Sequence, residues 1–466
     1  MKIEHSPSDA APLERAARAV EAGIAKAQTD PARPAIHFRA PARWMNDPNG
    51  TIYHNGWYHV FYQLHPFSEG DGPKHWGHAR TRDLVHWQHL PIALWPSREL
   101  GEEQCWSGSA AIRDDGTPML FYTSIGPTHQ PLDSAEQWAA LGDPELLRWQ
   151  KHPANPLLTE KLHGGVKILD WRDPFVFREA GRWYLVLGGH REGGRGCIDL
   201  YTSADLERWT YLGIPLEGEE ENWECPNLFR IGERWVLLYS PHSVVKYYTG
   251  TLDLDACRFT PERHGGVDHG VFYASNVLRD ARGRWILWGW ERAWVEGRGW
   301  NGCLALPRIV SLTPDGRLVQ QPAPELHCLR RDRVSASDLR LSSGSHSLPQ
   351  VAGDCLEVRA RLEPAGAGAF GLRLGGREDL TIRCDGDALD VAGTIVPLEE
   401  AGGVGPLDLH VFVDRSLLEV FVNGQATVSR WFEHLGALQG VEAFAEGGGA
   451  RVASIEAWRL EPVWTS

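Results

Sequence analysis

The sequence predicts an all-β protein: a five-bladed β-propeller followed by a C-terminal β-sandwich, with a short N-terminal helix. Three observations point there. A turn glycine leading into an aromatic or apolar strand recurs every 51 to 65 residues between about residues 36 and 320. The spacer Leu-x-x-Trp recurs within the same stretch. Beyond about residue 320 the pattern changes to short, closely spaced runs of alternating polarity, which read as sandwich strands.

The first 33 residues stand apart. Leu13, Ala16, Ala17, Val20, Ile24 and Ala27 follow helical spacing with charges opposite, and Pro31 and Pro34 stop the run. This segment is expected to be a docked packing helix. Residues 34–322 hold the repeat. Its glycines are Gly56, Gly116, Gly181, Gly232 and Gly283, and its Leu-x-x-Trp copies end at Trp87, Trp149 and Trp209. Units of this length each supply a hairpin-rich sheet of about four strands, so five of them make a propeller. A propeller gathers the inner strands of all its blades around one axis, so residues far apart in sequence can converge there. Residues 323–466 follow a linker-like Gln321-Pro322-Ala323-Pro324 and form the sandwich. Period-two patterning is clear in Leu407 to Val413, and Asn423-Gly424 marks a hairpin.

Composition narrows the function. The net charge of −14 argues against nucleic acid and suits a neutral small-molecule substrate. Most of the 21 Trp residues are expected in the core, and Trp also stacks well on the apolar faces of sugar rings. None of the eight Cys forms a C-x-x-C pair, so neither a zinc site nor a disulfide scaffold is expected. His75 with His78 and His86 with His89 lack a third ligand in order and read as structural. No apolar signal region or bilayer-length run occurs, so the expectation is a cytoplasmic protein without a membrane partner; a homo-oligomer stays open.

The chain is organised around Trp44-Met45-Asn46-Asp47-Pro48-Asn49-Gly50, which reads as a sharp corner before a strand. An Asx-type turn is one reading of Asp47; a rigidly aimed nucleophile is the other. Two further acids have similar settings. Asp173 lies in Trp171-Arg172-Asp173-Pro174 and Glu224 in Trp223-Glu224-Cys225-Pro226, each ahead of an apolar strand. Glycoside cleavage needs one ionised carboxylate to attack and one carboxyl of raised pKa to protonate the leaving oxygen. Arg172 is expected to keep Asp173 ionised, and an apolar wall at Trp223 to raise Glu224.

These three blocks resemble the signatures of glycoside hydrolase family 32, the β-fructofuranosidases: invertases, sucrose-6-phosphate hydrolases, inulinases and levanases. Further blocks are similar in the same order, from Phe61-Tyr62-Gln63 and Trp76-Gly77-His78-Ala79 through Trp106-Ser107-Gly108-Ser109, Phe272-Tyr273-Ala274 and Trp288-Gly289-Trp290. Val413-Asp414-Arg415-Ser416 and Glu419 to Gly424 continue the likeness into the sandwich. The resemblance implies Asp47 as nucleophile, Glu224 as acid/base and Asp173 as transition-state stabiliser. It implies that Trp44, Asn46, Gln63, Trp106, Ser107, Arg172, Tyr273 and Trp290 hold the fructosyl unit, with no metal and no cofactor. The implied substrate is sucrose or a short fructo-oligosaccharide. Fructosyl transfer and the hydrolysis of inulin or levan are alternatives, and a non-catalytic fructan-binding protein is the reading from another class. The chain departs from the pattern at His65, at Asn227 and Val271 where the family commonly has Asp, and in Ser68 to Lys74, which lacks a Trp. None of these departures removes one of the three acids; they bear on subsite binding and so on substrate identity, and the loop change reads as a tolerated surface difference ahead of an altered leaving-group preference.

Overall fold

The computed structural model describes residues 7–403 and 405–464. The helix Pro7–Gln28 packs onto the first blade. Ala16, Val20 and Ala27 are buried, whereas Ala17 faces solvent. The helix is pinned by Arg43 Nε on the Ala19 carbonyl (3.0 Å) and Lys26 Nζ on Glu69 (2.7 Å).

Five sheets follow around an axis, and then two six-stranded sheets stack as a sandwich. The innermost strands of blades I to V are Arg43–His54, Gln104–Ile112, Ile168–Glu179, Glu224–Ile231 and Phe272–Arg279. The short strand Trp300–Asn301, in the connection between the blade V strands Trp285–Glu291 and Arg308–Leu312, pairs in parallel with Arg43 and Trp44, which closes the ring.

Both sequence repeats have a backbone cause. The five turn glycines all have positive φ, between 60° and 84°, at the hairpin joining the first two strands of each blade. Gly56 follows Asn55, also left-handed at 49°, the dipeptide geometry that matches the twist of paired strands. In the Leu-x-x-Trp spacer, Leu84, Leu146 and Leu206 are left-handed too (58° to 66°) and fully buried. Asp83 and Asp205 hold their turns by accepting the backbone N–H groups that follow, at 2.8 to 3.0 Å. The leucine plugs the core while the chain reverses into the outermost strand.

A third repeat was not visible in the sequence. In every blade the innermost strand slips by one residue against its neighbour at the same level. The slips fall between Met45 and Pro48, Cys105 and Gly108, Arg172 and Phe175, Glu224 and Asn227, and Tyr273 and Asn276. Such bulges bend a strand and re-aim its side chains. The stretch Trp44 to Gly50 is therefore a bulged strand and not the corner expected before one.

Buried amides lock the blades near these bulges. Asn227 donates to the Cys225 and Ser275 carbonyls (2.9 and 2.8 Å) and accepts from Val277 N–H (2.9 Å), which ties blade IV to blade V. Asn276 accepts from Thr51 and donates to the Gly108 carbonyl, tying blade V to blades I and II. A Cβ on Gly188 would lie 2.0 Å from the Trp223 carbonyl, so blade III reaches the Glu224 segment only through glycine. The paired histidines have other contacts: His75 meets Phe67 edge-on, His78 stacks on Phe61 and bonds His59, His86 bonds Asp83, and His89 stacks on Trp464. No helix among the described residues is long and apolar enough to cross a membrane.

Candidate active site

The bulges bring the three acids to one end of the axis. Asp47 and Asp173 sit within the slips of blades I and III, and Glu224 is the first residue of the blade IV strand. Asp173 and Cys225 occupy equivalent bulge positions, and both are left-handed, with φ of 64° and 47°.

Asp47 is oriented by two donors. Asn46 Nδ2 reaches Oδ1 at 3.0 Å, and Ser107 Oγ reaches Oδ2 at 2.5 Å. Behind them, Trp44 Nε1 donates to Asn46 Oδ1 (2.8 Å), Asn46 Nδ2 to Gln63 Oε1, and Gln63 Nε2 to Ser107 Oγ (2.7 Å). The donors thus form a closed relay in which each side chain fixes the next. Burial raises the Asp47 carboxyl above the ordinary range, with the Ser107 and Asn46 bonds pulling the other way.

Cys225 links the first two acids. Its N–H donates to Asp173 Oδ2 at 2.9 Å, and its Sγ lies 3.5 Å from Asp173 Oδ2 and 3.7 Å from Asp47 Oδ2. Arg172 links the second and third. Its Nε is 3.9 Å from Asp173, and its outer nitrogen is bonded to Glu224 Oε1. Asp170 steadies the guanidinium at 2.9 Å. Tyr273 donates to Glu224 Oε2, and His242 Nε2 lies 3.2 Å from Oε1.

The electrostatics reverse two expectations. Burial pushes Asp173 up to about 7 even with Arg172 beside it, because the guanidinium spends its closest contact on Glu224. Burial also opposes the Glu224 charge, but the His242 bond, the Arg172 charge and the Tyr273 bond bring that carboxyl down to about 2. Trp223 supplies no apolar wall: its ring packs on Tyr239 at 4.2 Å and its N–H donates to Glu220. The neighbours of Glu224 therefore hold it ionised.

The aromatic candidates frame this network. Arg172 lies 5.7 Å from the Trp106 ring centroid, and Trp290 meets the Trp44 ring edge-on at 5.6 Å. Every site residue expected from the sequence therefore joins one connected cluster. The structure adds Cys225, Asp170 and His242, together with Trp294, an exposed ring 5.0 Å from Trp44. Cys225 and Asp170 adjoin the acidic blocks and could have been found there. His242 and Trp294 sit on loops with no motif of their own.

Two domain families match the chain: Glycosyl hydrolases family 32 N-terminal domain over residues 37–322, and Glycosyl hydrolases family 32 C terminal over 325–459. The sucrose-6-phosphate hydrolase of Escherichia coli is 35% identical over 85% of this chain and 88% of its own length. The raffinose invertase of Escherichia coli is 32% identical, covering 92% of this chain and 95% of its own. The structure of fructan 1-exohydrolase IIa from Cichorium intybus, solved with 1-kestose, superposes with a TM-score of 0.82 at 25% identity, over 93% of this chain and 98% of that one. This chain belongs to glycoside hydrolase family 32 and is a β-fructofuranosidase-like enzyme that hydrolyses fructosyl linkages.

Proposed function

We propose that the enzyme is a retaining, exo-acting β-fructofuranosidase that removes the terminal fructosyl unit of sucrose or a short fructo-oligosaccharide through a covalent fructosyl-enzyme intermediate. The observation that carries this reading is the environment of Asp47. Both its oxygens are held by donors that are themselves held, so the carboxylate is aimed before substrate arrives. Asp47 attacks C2 of the fructosyl group while the bond to the leaving sugar breaks and Glu224 gives the departing oxygen a proton. Water, deprotonated by Glu224, then releases fructose. Asp173 hydrogen-bonds sugar hydroxyls and strengthens those bonds as positive charge develops. Carboxyl groups about 5–5.5 Å apart serve this retaining course. Asn46, Gln63, Trp106, Ser107, Arg172, Tyr273 and Trp290, with Trp44 behind them, hold the fructosyl ring. On the reading that the protein is cytoplasmic, small imported sugars are its substrates in preference to polymers.

The test is release of fructose and glucose from sucrose by the native enzyme and by Asp47→Asn. Native release that falls by about 10⁴-fold or more in the variant is the expected result. Equal release by both proteins would remove Asp47 from the mechanism. Absence of release from sucrose, with activity on phosphorylated sucrose, raffinose or long fructans, would replace the substrate and keep the chemistry.

A further inference from the structure

Glu224 must deliver a proton, yet the resting site surrounds it with donors and leaves it ionised. Arg172 and Tyr273 hold one oxygen each, and His242 Nε2 approaches Oε1 at 3.2 Å. His242 sits in the loop between the blade IV strands Arg234–Ser240 and Lys246–Asp253. Its backbone is left-handed at φ 60°, and its N–H donates to Tyr273 Oη at 2.9 Å. Tyr273 thus bonds Glu224 and the His242 backbone at once, so loop, phenol and carboxylate form a closed triangle. The imidazole itself is exposed, with 56% of its side-chain surface open. The groups facing it are Glu224 and Tyr273 in contact, and Arg172 and Asp170 beyond. Its bond to Glu224 raises its affinity for a proton above that of a free histidine, while burial and the Arg172 charge oppose this.

We propose that His242 is a positioning residue for the proton transfer: it shares one proton with Glu224, and that proton is the one delivered to the leaving sugar. The proposal rests on Glu224 being the acid/base. In the free enzyme the proton lies on His242 Nε2 against an ionised Glu224. As the leaving group departs, the proton crosses to Glu224 and on to the glycosidic oxygen. The C2–O bond breaks, the Asp47–C2 bond forms, and the imidazole is left neutral. Water then attacks C2, the bond to Asp47 breaks, and the proton lost by the water returns to the Glu224–His242 pair. The cycle consumes only substrate and water.

The experiment is the pH profile of kcat/KM on sucrose for the native enzyme, His242→Asn and His242→Gln, with Glu224→Gln alongside and a thermal melt of each. Asn tolerates the left-handed backbone. Loss of the imidazole is expected to move the alkaline limb down by about one pH unit or more, so activity near pH 8 falls about tenfold while activity near pH 5 changes less than about threefold. An aryl β-fructofuranoside, whose leaving group needs little protonation, should be nearly unaffected. An unmoved alkaline limb in both histidine variants, or an equal loss at every pH and on the aryl substrate, would overturn the proposal. Should Glu224→Gln retain full hydrolysis of sucrose, the acid/base assignment itself falls. An inactive Glu224→Gln with unmoved histidine variants removes the role of His242 alone.

Discussion

Asn46 and Ser107 each donate a hydrogen bond to Asp47, and the Ser107 bond can be removed by a single substitution. Ser107 Oγ donates to Asp47 Oδ2 and accepts from Gln63 Nε2. A hydrogen bond to a charged group is worth about 1.5–3 kcal/mol, or roughly tenfold to a hundredfold in rate if it is made in the transition state. Ser107→Ala should therefore lower kcat/KM by about that factor. The sign of its pH effect follows from the causes at Asp47. Burial raises that carboxyl and the Ser107 bond lowers it, so deleting the bond raises it further. The acid limb of the profile should move to higher pH; a uniform loss with an unmoved limb would mean that Ser107 only shapes the pocket. At this scale most of the site was legible, because Asp47, Asp173 and Glu224 lie in blocks whose composition is distinctive. What sequence could not give was their charge state. The guanidinium adjacent to Asp173 in sequence makes its closest contact with Glu224, 52 residues away, and His242 meets Glu224 only because a loop tip of blade IV folds back beside its first strand.

At the scale of the element, legibility depended on whether a feature is local. A glycine at a hairpin and an Asp-capped Leu turn are set by neighbouring φ and ψ, and both appear as sequence repeats. A bulge is defined by the partner strand's register, so five of them in equivalent places left no such trace. They nonetheless aim the end of each inner strand that faces the candidate site. The bulge residues Asp173, Cys225 and Ala274 all have positive φ, at 64°, 47° and 51°. A non-glycine residue held there costs of order 1–3 kcal/mol, and a β-branched one fares worst. Ala274 is fully buried, directly after Tyr273. Ala274→Gly should fold normally and keep its activity. Ala274→Val should be less stable than Ala274→Gly by about 2 kcal/mol in urea unfolding and should lose activity, because straightening the bulge turns the Tyr273 hydroxyl away from Glu224. Equal stability of the two variants would show that the bulge carries no backbone strain.

The molecule as a whole is joined by a buried charge cluster, and this gives the sandwich blocks a meaning that sequence alone withheld. Asp414 accepts the backbone N–H groups of Ala35, Ile36 and His37 at 2.7 to 3.0 Å, together with His37 Nδ1 at 2.7 Å. The other ring nitrogen of His37 reaches Glu419 at 2.8 Å. Glu419 also accepts from Leu306 N–H and from Arg308, whose guanidinium bonds Asp268 as well. These ionised groups have no exposed surface. Neighbouring Glu291 is pushed well above the usual carboxyl range by burial and by the Glu419 charge. The segment leading into blade I is thus clamped to the sandwich, and residues 35–37 stand only a few positions before the Asp47 strand. Breaking a buried pair by removing one partner costs about 3–5 kcal/mol, because the other partner stays buried and unmatched. Asp414→Ala should lose about that much and expose His37. The pH dependence has a definite sign. Burial opposes the His37 charge, but the bonds to Asp414 and Glu419 raise it to about 10, so its contribution is complete below the unfolded histidine value and lost as pH rises through about 10. Asp414 and Glu419 are lowered despite burial, so their contribution is lost as pH falls through the acid range. Thermal unfolding of the native enzyme should therefore show a plateau on the acid side of about pH 6.5 and a decline from there toward about pH 10, and Asp414→Ala should flatten that decline. A decline of the same size in both proteins would locate the alkaline loss elsewhere and reduce the His37 clamp to packing.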